Sequence, residues 1–583
     1  MLKKLAGCIR EYKKDSVLSP LFVAAEVIME VFIPYLMGKI VDNGIQTGNI
    51  SYILKVGAVL TVICLLSLST GILAGKHAAR ASAGFAKNLR HDMFHKVQDF
   101  SFSNIDSFSV AGLVTRLTTD VSNLQNSYQM LIRIAVRSPL MLIFSLFMTI
   151  RVNPKMTLIF LCIIPFLALA LGTIVTHAHP IFERVFKTYD KLNGVVSENL
   201  SGIRVVKAFV REEREKEKFT SVSGKIFSDF VSAEKWLAFN GPVMQLSSYS
   251  AMLLISWFGA KLIVKSGDNA ALGMTTGDLM VLMTYSMQIL STLMMISMIF
   301  VMLTMSKAAA KRVCAVLSTE SDLTNGENPI TEIKDGSIDF ENVGFSYTKD
   351  ENHLCLKNIN IHINSGETVG IIGSTGSSKS SFVQLIPRLY DATTGSVKVG
   401  GIDVKNYDLD CLRNSVAMVL QKNVLFSGTI KENLRWGNEN ATDEELVEAC
   451  KLSQAHNFIE SFPDGYDTYI EQGGTNVSGG QKQRICIARS LLKKPKILIL
   501  DDSTSAVDTK TDALIRKAFS QYIPETTKII IAQRISSVEH ADKIIVLDGG
   551  EIADVGTHEE LLKTSEIYSE VYYSQVKGDD SNG

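Results

Sequence analysis

Two long uncharged, mostly apolar runs, Val56–Gly75 and Met156–Val175, constrain this chain more than any other feature. About 18 such residues suffice to cross a bilayer, and in hydrocarbon every backbone N–H and C=O must be paired within its own segment, which dictates a helix. Four weaker stretches read the same way, at about 17–41, 131–151, 242–264 and 278–304, so six spans are expected. An even number returns the chain to its starting side. After about residue 330 the pattern changes to short strand-like runs, glycine-rich turns and abundant charge. The expected division is 1–310 for a six-helix transmembrane domain with long cytoplasmic extensions, 311–335 for a linker, 336–575 for a second domain and 576–583 for a disordered tail.

Composition agrees with two unlike halves. The chain has 583 residues, 46% hydrophobic and 20% charged, and a mean hydropathy of +0.16. That is too long for a single binding module, apolar for a soluble protein and too charged for one that is membrane throughout. With 59 basic and 60 acidic residues the net charge is -1, so no global field favours a nucleic-acid partner. The eight cysteines are scattered without a C-x-x-C pair, which indicates neither a disulfide framework nor a zinc site. The first segment places Lys3, Lys4, Arg10, Lys13 and Lys14 around Leu2, Leu5, Ile9 and Tyr12, the pattern of an interfacial amphipathic helix. No short apolar core ending in a small-residue site follows it, so it is not read as a cleaved signal peptide. The connection Asn43–Ile50 lacks Lys and Arg, while the N-terminus and the segments after spans two and four are rich in both. The positive-inside rule then puts both termini in the cytoplasm of a multi-pass cell-membrane protein. Those two segments, about 77–130 and 177–240, are amphipathic and helical in pattern, suited to carrying motion to a cytoplasmic domain.

The second half carries nucleotide chemistry. Thr368–Ile372 reads as an apolar strand leading into Gly373, Ser374, Thr375, Gly376, Ser377, Ser378, Lys379, Ser380 and Ser381, and then into a helical pattern. This is the order of a P-loop, where backbone N–H groups cradle phosphates, the lysine reaches the β- and γ-phosphates and the Ser380 hydroxyl ligates Mg²⁺. Ser378 departs from the rule, which wants glycine there. A second apolar strand, Ile497–Leu500, ends in Asp501, the expected Mg²⁺-associated carboxylate, and NVSGGQKQR lies between the two at 476–484.

In this order and at these separations the motifs resemble the ATP-binding cassette (ABC) ATPases, and the whole chain resembles an ABC exporter half-transporter. The fold that this implies is an all-α six-helix transmembrane domain of the ABC exporter type joined to an α/β P-loop NTPase cassette. In that family two cassettes pair head to tail, with each ATP between the P-loop side of one and the signature loop of the other. The resemblance implies that Tyr347 stacks on adenine and that Gln421 sits in the Q-loop near Mg²⁺, completing with Ser380 and Asp501 the metal's surroundings. It further implies that Ser478, Gly479, Gly480 and Gln481 reach the partner's γ-phosphate and that Asp508 belongs to the D-loop. Residues 105–121 and 194–217 resemble the two cytoplasmic coupling segments.

Two departures stand out. The family's catalytic glutamate is Asp502 here, one methylene short, and its switch histidine is Gln533, which has no titratable ring. A misplacement of about 1 Å can cost roughly 10²-fold in rate. These positions predict a degenerate site that turns ATP over slowly, beside an intact signature. The favoured assembly is therefore a heterodimer whose second half-transporter supplies a complete P-loop side. A slow homodimeric exporter remains the alternative, as does a nucleotide-gated regulatory or channel-like membrane protein. Expected partners are the second subunit, the lipid bilayer, ATP with Mg²⁺ and a small amphipathic substrate.

Within the spans, Glu26 and Glu30 share one helix face, and so do Arg133 and Arg137. Charges in a span are costly unless paired or facing water, so they read either as an ion-pair network or as a site for a cationic substrate. Met280, Met283, Met287, Met294, Met298, Met302 and Met305 recur at helical spacing in span six. They read either as packing or as an adaptable lining of the translocation path.

Overall fold

The computed structural model describes residues 1–268, 273–502 and 507–580. The chain divides into two compact units, Met1–Gln98 with Val110–Thr319, and Asp99–Ser109 with Glu320–Gly583.

The first unit is helical. Its long helices are α1 (Lys13–Ile40), α2 (Ile50–Gln98), α4 (Val121–Val152), α5 (Pro154–Ser201), α6 (Glu212–Ala238), α7 (Asn240–Ser266) and α8 (Thr276–Ser318). Among the described residues six helical stretches are long and apolar enough to cross a membrane; five contain one of the spans read from hydropathy, and the sixth, Thr276–Ile296, covers the first part of the span read at 278–304. Helix starts are set by side chains. Asn153 accepts from the backbone N–H groups of Lys155 and Met156 with Pro154 in the first turn, and Thr275 forms a capping box with Asp278. Gly267, at φ +61, supplies the left-handed residue that stops α7. The amphipathic extensions predicted beyond spans two and four are present, since α2 runs to Gln98 and α5 to Ser201.

Two boundaries differ from the reading of the sequence. Helix α8 continues through the expected domain edge at 310 to Ser318, because Ala309, Ala310, Val313, Cys314 and Val316 keep an apolar stripe buried. Helix α12 (Glu566–Asp580) extends into the stretch expected to be a disordered tail, anchored upstream by the buried Tyr568; residues 581–583 lie outside the described ones. The short helix α3 (Phe102–Phe108), between α2 and α4, belongs to the second unit rather than to the spans.

The second unit is built on a six-stranded sheet. In chain order its strands are β3 (Thr368–Gly373), β5 (Val416–Val419), β6 (Ile497–Asp501), β7 (Thr527–Ile531), β8 (Lys543–Asp548) and β9 (Glu551–Gly556), arranged β9-β8-β3-β7-β6-β5. All neighbours are parallel except β8 and β9. A smaller antiparallel sheet holds β1 (Ile338–Phe345), β2 (Leu356–Ile363) and β4 (Thr394–Val399). Alternate residues of the parallel strands enter cores on opposite faces: Ile497 and Ile499 on one, Leu498 and Leu500 on the other. Burial on both faces is why these strands read as continuous apolar runs instead of alternating ones. This order puts the carboxyl ends of β3, β7 and β6 side by side, and ligands of open parallel sheets bind at such ends.

Candidate functional site

The P-loop strand β3 ends at Gly373, where a Cβ would strike the Leu547 carbonyl oxygen. The loop turns at Gly376, φ +90, and enters α9 (Lys379–Gln384). Phe382 and Val383 are fully buried and Phe382 stacks on Phe340 with centroids 4.2 Å apart, which fixes the helix and with it Lys379 and Ser380. Ser374, Thr375 and Gly376 are exposed while Ser377 is buried. The Lys379 ammonium donates to the carbonyl oxygens of Gly373 at 2.7 Å and Ser374 at 2.8 Å, and burial pushes its pKa down.

Ser380 Oγ donates to Asp501 Oδ1 at 3.1 Å, joining α9 to the end of β6. Burial raises the Asp501 pKa, the Ser380 hydrogen bond opposes it and the neighbouring Asp502 charge adds to it. A hydroxyl beside a buried carboxylate, with a second carboxylate adjacent, fits a divalent metal with oxygen ligands. Bound there, Mg²⁺ would supply charge neutralisation at the nucleotide's phosphates.

Ser378 sits at φ +67 and ψ 25, in the left-handed region where an L-residue costs about 1–2 kcal/mol. Ser378→Gly is expected to stabilise the nucleotide-free chain by roughly 0.5–1 kcal/mol, glycine's own entropy cost offsetting part of the relief. A thermal midpoint unchanged or lowered in the variant would remove this strain from the account.

Asp502 follows directly, itself at φ +49, with its N–H held by Ile531 O at 3.1 Å. Gln533 Nε2 donates to Asp502 Oδ2 at 2.7 Å and Gln421 Nε2 approaches the same oxygen at 3.5 Å. The structure therefore unites Asp501, Asp502, Gln421 and Gln533 with the P-loop. Gln575 of α12 was invisible in the sequence. It accepts from Ile535 N at 2.9 Å and donates to Gln533 O at 2.8 Å, bracing the backbone on both sides of Arg534.

Tyr347 presents an exposed ring face and its hydroxyl pairs with Ser381 Oγ at 2.8 Å. Ser478 begins α10 (Gly479–Leu491) through a reciprocal capping box with Gln481, which leaves Gly480 at an exposed helix start. Asp508 caps the next helix, α11 (Thr509–Tyr522), by accepting from Thr511 N. The rest of the D-loop, Ser505 and Ala506, lies outside the described residues.

A family model described as the ABC transporter transmembrane region matches residues 17–294, and one described as ABC transporter matches 356–505. The chain belongs to the ABC transporter family. It is 36% identical over 574 residues to the uncharacterized ABC transporter ATP-binding protein YfiB of Bacillus subtilis (strain 168), covering 98% of each. To the uncharacterized ABC transporter ATP-binding protein MT1311 of Mycobacterium tuberculosis (strain CDC 1551 / Oshkosh) it is 35% identical over 580 residues, covering 99% of this chain and 98% of the other. The putative multidrug export ATP-binding/permease protein YgaD of Bacillus subtilis (strain 168) is 29% identical over 592 residues, with 99% of each covered. A solved bacterial Atm1-family ABC exporter with ATP bound shares the fold, with a TM-score of 0.80 at 24% identity over 97% of this chain and 98% of that one. The chain is thus an ABC half-transporter of exporter fold, a multi-pass membrane protein fused to an ABC ATPase domain.

The stretch 105–121, expected from the resemblance to be the first coupling segment, is divided between the two units. Residues 99–109 pack with the cassette while Val110 onward packs with the spans. On the cassette, Tyr390 donates to Asp106 of α3 at 2.6 Å, and its ring meets Tyr347 edge-on at 5.2 Å. Burial raises the Tyr390 pKa and the bond to Asp106 adds to it, so the phenol stays a donor. Burial opposes ionisation of Asp322, yet Lys349, Ser101 and Ser103 hold its pKa at about 2. Neither Tyr390 nor Asp322 carried any motif signal. In the second segment Leu200, Val205, Phe209 and Val210 are exposed.

Among the spans, Arg137 places Nη1 2.6 Å from Glu26 and Nη2 2.6 Å from Glu30, a fork between α4 and α1. Arg133 does not join this fork; its guanidinium lies over Gly75 of α2, and Gly71, one turn away, makes room for the Glu26 carboxylate. Met280, Met287, Met294 and Met298 are exposed, Met283 and Met302 are half-buried, and the side chain of Met305 is not described.

Proposed function

We propose that this chain is one half of an ATP-driven exporter that moves a small amphipathic substrate out of the cytoplasm, working as a heterodimer in which its own P-loop side is the slow site. The hydrogen bond from Gln533 to Asp502 carries the reading. A carboxylate one methylene short is tied down by an amide that accepts no proton and never becomes cationic, so Asp502 is poorly placed to polarise a water. The signature side is intact in sequence, and Ser478, Gly480 and Gln481 form an ordered helix start suited to a partner's γ-phosphate.

On this reading two cassettes close on ATP, Tyr347 stacks on adenine, and Lys379, Ser380, Gln421 and Asp501 hold the phosphates and Mg²⁺. Hydrolysis at the partner's P-loop side reopens the pair. The exposed apolar side chains at 200–210 support docking of the second coupling segment on the other subunit's cassette. Both termini and the cassette face the cytoplasm.

The test is steady-state ATPase activity of the purified chain alone and of the chain co-purified with a half-transporter that has the complete glutamate and histidine pair. Negligible activity alone and robust, substrate-stimulated activity together are expected. Robust activity alone would make the homodimer the better assembly, and activity that no transported compound stimulates would favour a gated rather than a pumping protein.

A further inference from the structure

A groove of about 600 Å³ runs between α5 and α7, far in sequence from the nucleotide motifs. Its floor is apolar, with Leu158 and Cys162 from α5 and Phe258 from α7, and all three are exposed. Its rim is basic: Lys155, Lys261 and Lys265 line it, and no acidic residue does. Among the described residues, none of the three ammonium groups has an ion pair or hydrogen-bond partner.

The placement of these groups along the helices gives the groove a polarity. Helix α5 begins at Pro154 and α7 ends at Ser266, so Lys155 and Lys265 lie in the terminal turns. Lys261 lies one turn further in, about 6 Å at 1.5 Å per residue. Cys162 is seven residues from Lys155 on the same helix, about 10 Å deeper. The charges are therefore at head-group depth and the apolar floor extends toward the bilayer centre. The positive end of the α5 dipole and the negative end of the α7 dipole meet at the same place and largely offset, so the field there is set by the three lysines.

We propose that this groove is a binding site for an anionic phospholipid of the leaflet that bathes the short-loop end of the spans. Its head-group phosphate sits among Lys155, Lys261 and Lys265, and an acyl chain lies on Leu158, Cys162 and Phe258. Charge complementarity selects the occupant. Three ammonium groups without a protein counter-ion attract a negative head group, each by an amount that matters near a membrane surface, while a zwitterionic lipid offers no net charge. A plain apolar helix of a second copy would leave the three cations uncompensated. The site is separate from the nucleotide chemistry and holds whatever the cargo is.

Cys162 provides the reporter, since only it and Cys64 are exposed among the cysteines. The full-length Cys64→Ser chain, labelled with bimane at Cys162, is reconstituted in phosphatidylcholine vesicles containing brominated phosphatidylglycerol or brominated phosphatidylcholine. Labelling Cys64 in a Cys162→Ser chain gives the control. Phosphatidylglycerol is expected to quench the Cys162 label with an apparent affinity about fivefold or more above that of phosphatidylcholine, the scale set by lysine attraction to anionic lipid. The preference should shrink at high salt, be absent at Cys64, and vanish in Lys155→Gln/Lys261→Gln/Lys265→Gln while quenching at Cys64 is unchanged. Equal quenching by both lipids at Cys162, or a preference that survives the triple substitution, overturns the proposal. No quenching by either lipid also overturns it.

Discussion

Asp502→Glu combined with Gln533→His is expected to raise ATP turnover at this chain's own site in the assembled transporter by about 10²-fold, roughly 2.7 kcal/mol of barrier. Both changes are needed because the two side chains form one unit: Gln533 Nε2 holds Asp502 Oδ2 at 2.7 Å. A glutamate alone would meet the same amide donor, and a histidine alone would face a carboxylate still too short to reach the water. The single substitutions are therefore expected to give much less than the square root of the combined gain each. Single-turnover hydrolysis in a dimer whose other P-loop lysine has been replaced isolates this site and checks the prediction. A double variant no faster than the parent would move the block elsewhere, with strained Ser378 the next position to change.

Arg137→Leu is expected to be the most destabilising single substitution in the spans. Its guanidinium reaches two carboxylates at once, and the Glu26 carboxylate also has an oxygen, Oε2, that is buried with no hydrogen-bond partner. Removing the cation leaves two anions four residues apart on one helix face; breaking a fully buried pair costs about 3–5 kcal/mol, and the loss here falls toward the low end because Glu30 is a third exposed while Glu26 is mostly buried. Folded yield and thermal midpoint in mild detergent should fall sharply, and Glu26→Gln/Glu30→Gln in the same chain should restore most of the loss. If Arg137→Leu is as stable as the parent, the carboxylates face water, and a cationic substrate becomes the better reading of that pair.

The parts of the molecule that were legible before any coordinates are those where a physical requirement repeats along the chain. A bilayer demands a long uncharged helix, so all six spans were found from hydropathy, and the weaker ones only because they repeat the pattern of Val56–Gly75 and Met156–Val175. A phosphate cradle demands a glycine-rich turn between a strand and a helix, so Gly373–Ser381 was found from residue types alone. The last helix of the helical unit runs to Ser318, eight residues past the expected edge at 310, because a helix stops where its buried stripe stops, and that stripe depends on neighbours distant in the chain. Gln575 and Tyr390 were missed for the same reason: a single Gln or Tyr carries no periodicity, and each acts through a partner on another element.

The sequence by itself determined that this chain spans a membrane six times and carries an ATP-binding cassette with two altered positions, because hydrophobic length and local loop chemistry are properties of contiguous residues. Tertiary structure decided what those positions do to each other. The order of the parallel sheet sets β7 beside β6, and that adjacency alone brings Gln533 onto Asp502 across 31 residues of chain. Helix packing brings Arg137 onto Glu26 across 111. Hydrogen bonds and ion pairs act over about 3 Å, so which groups they join is fixed only when the fold has brought distant segments together.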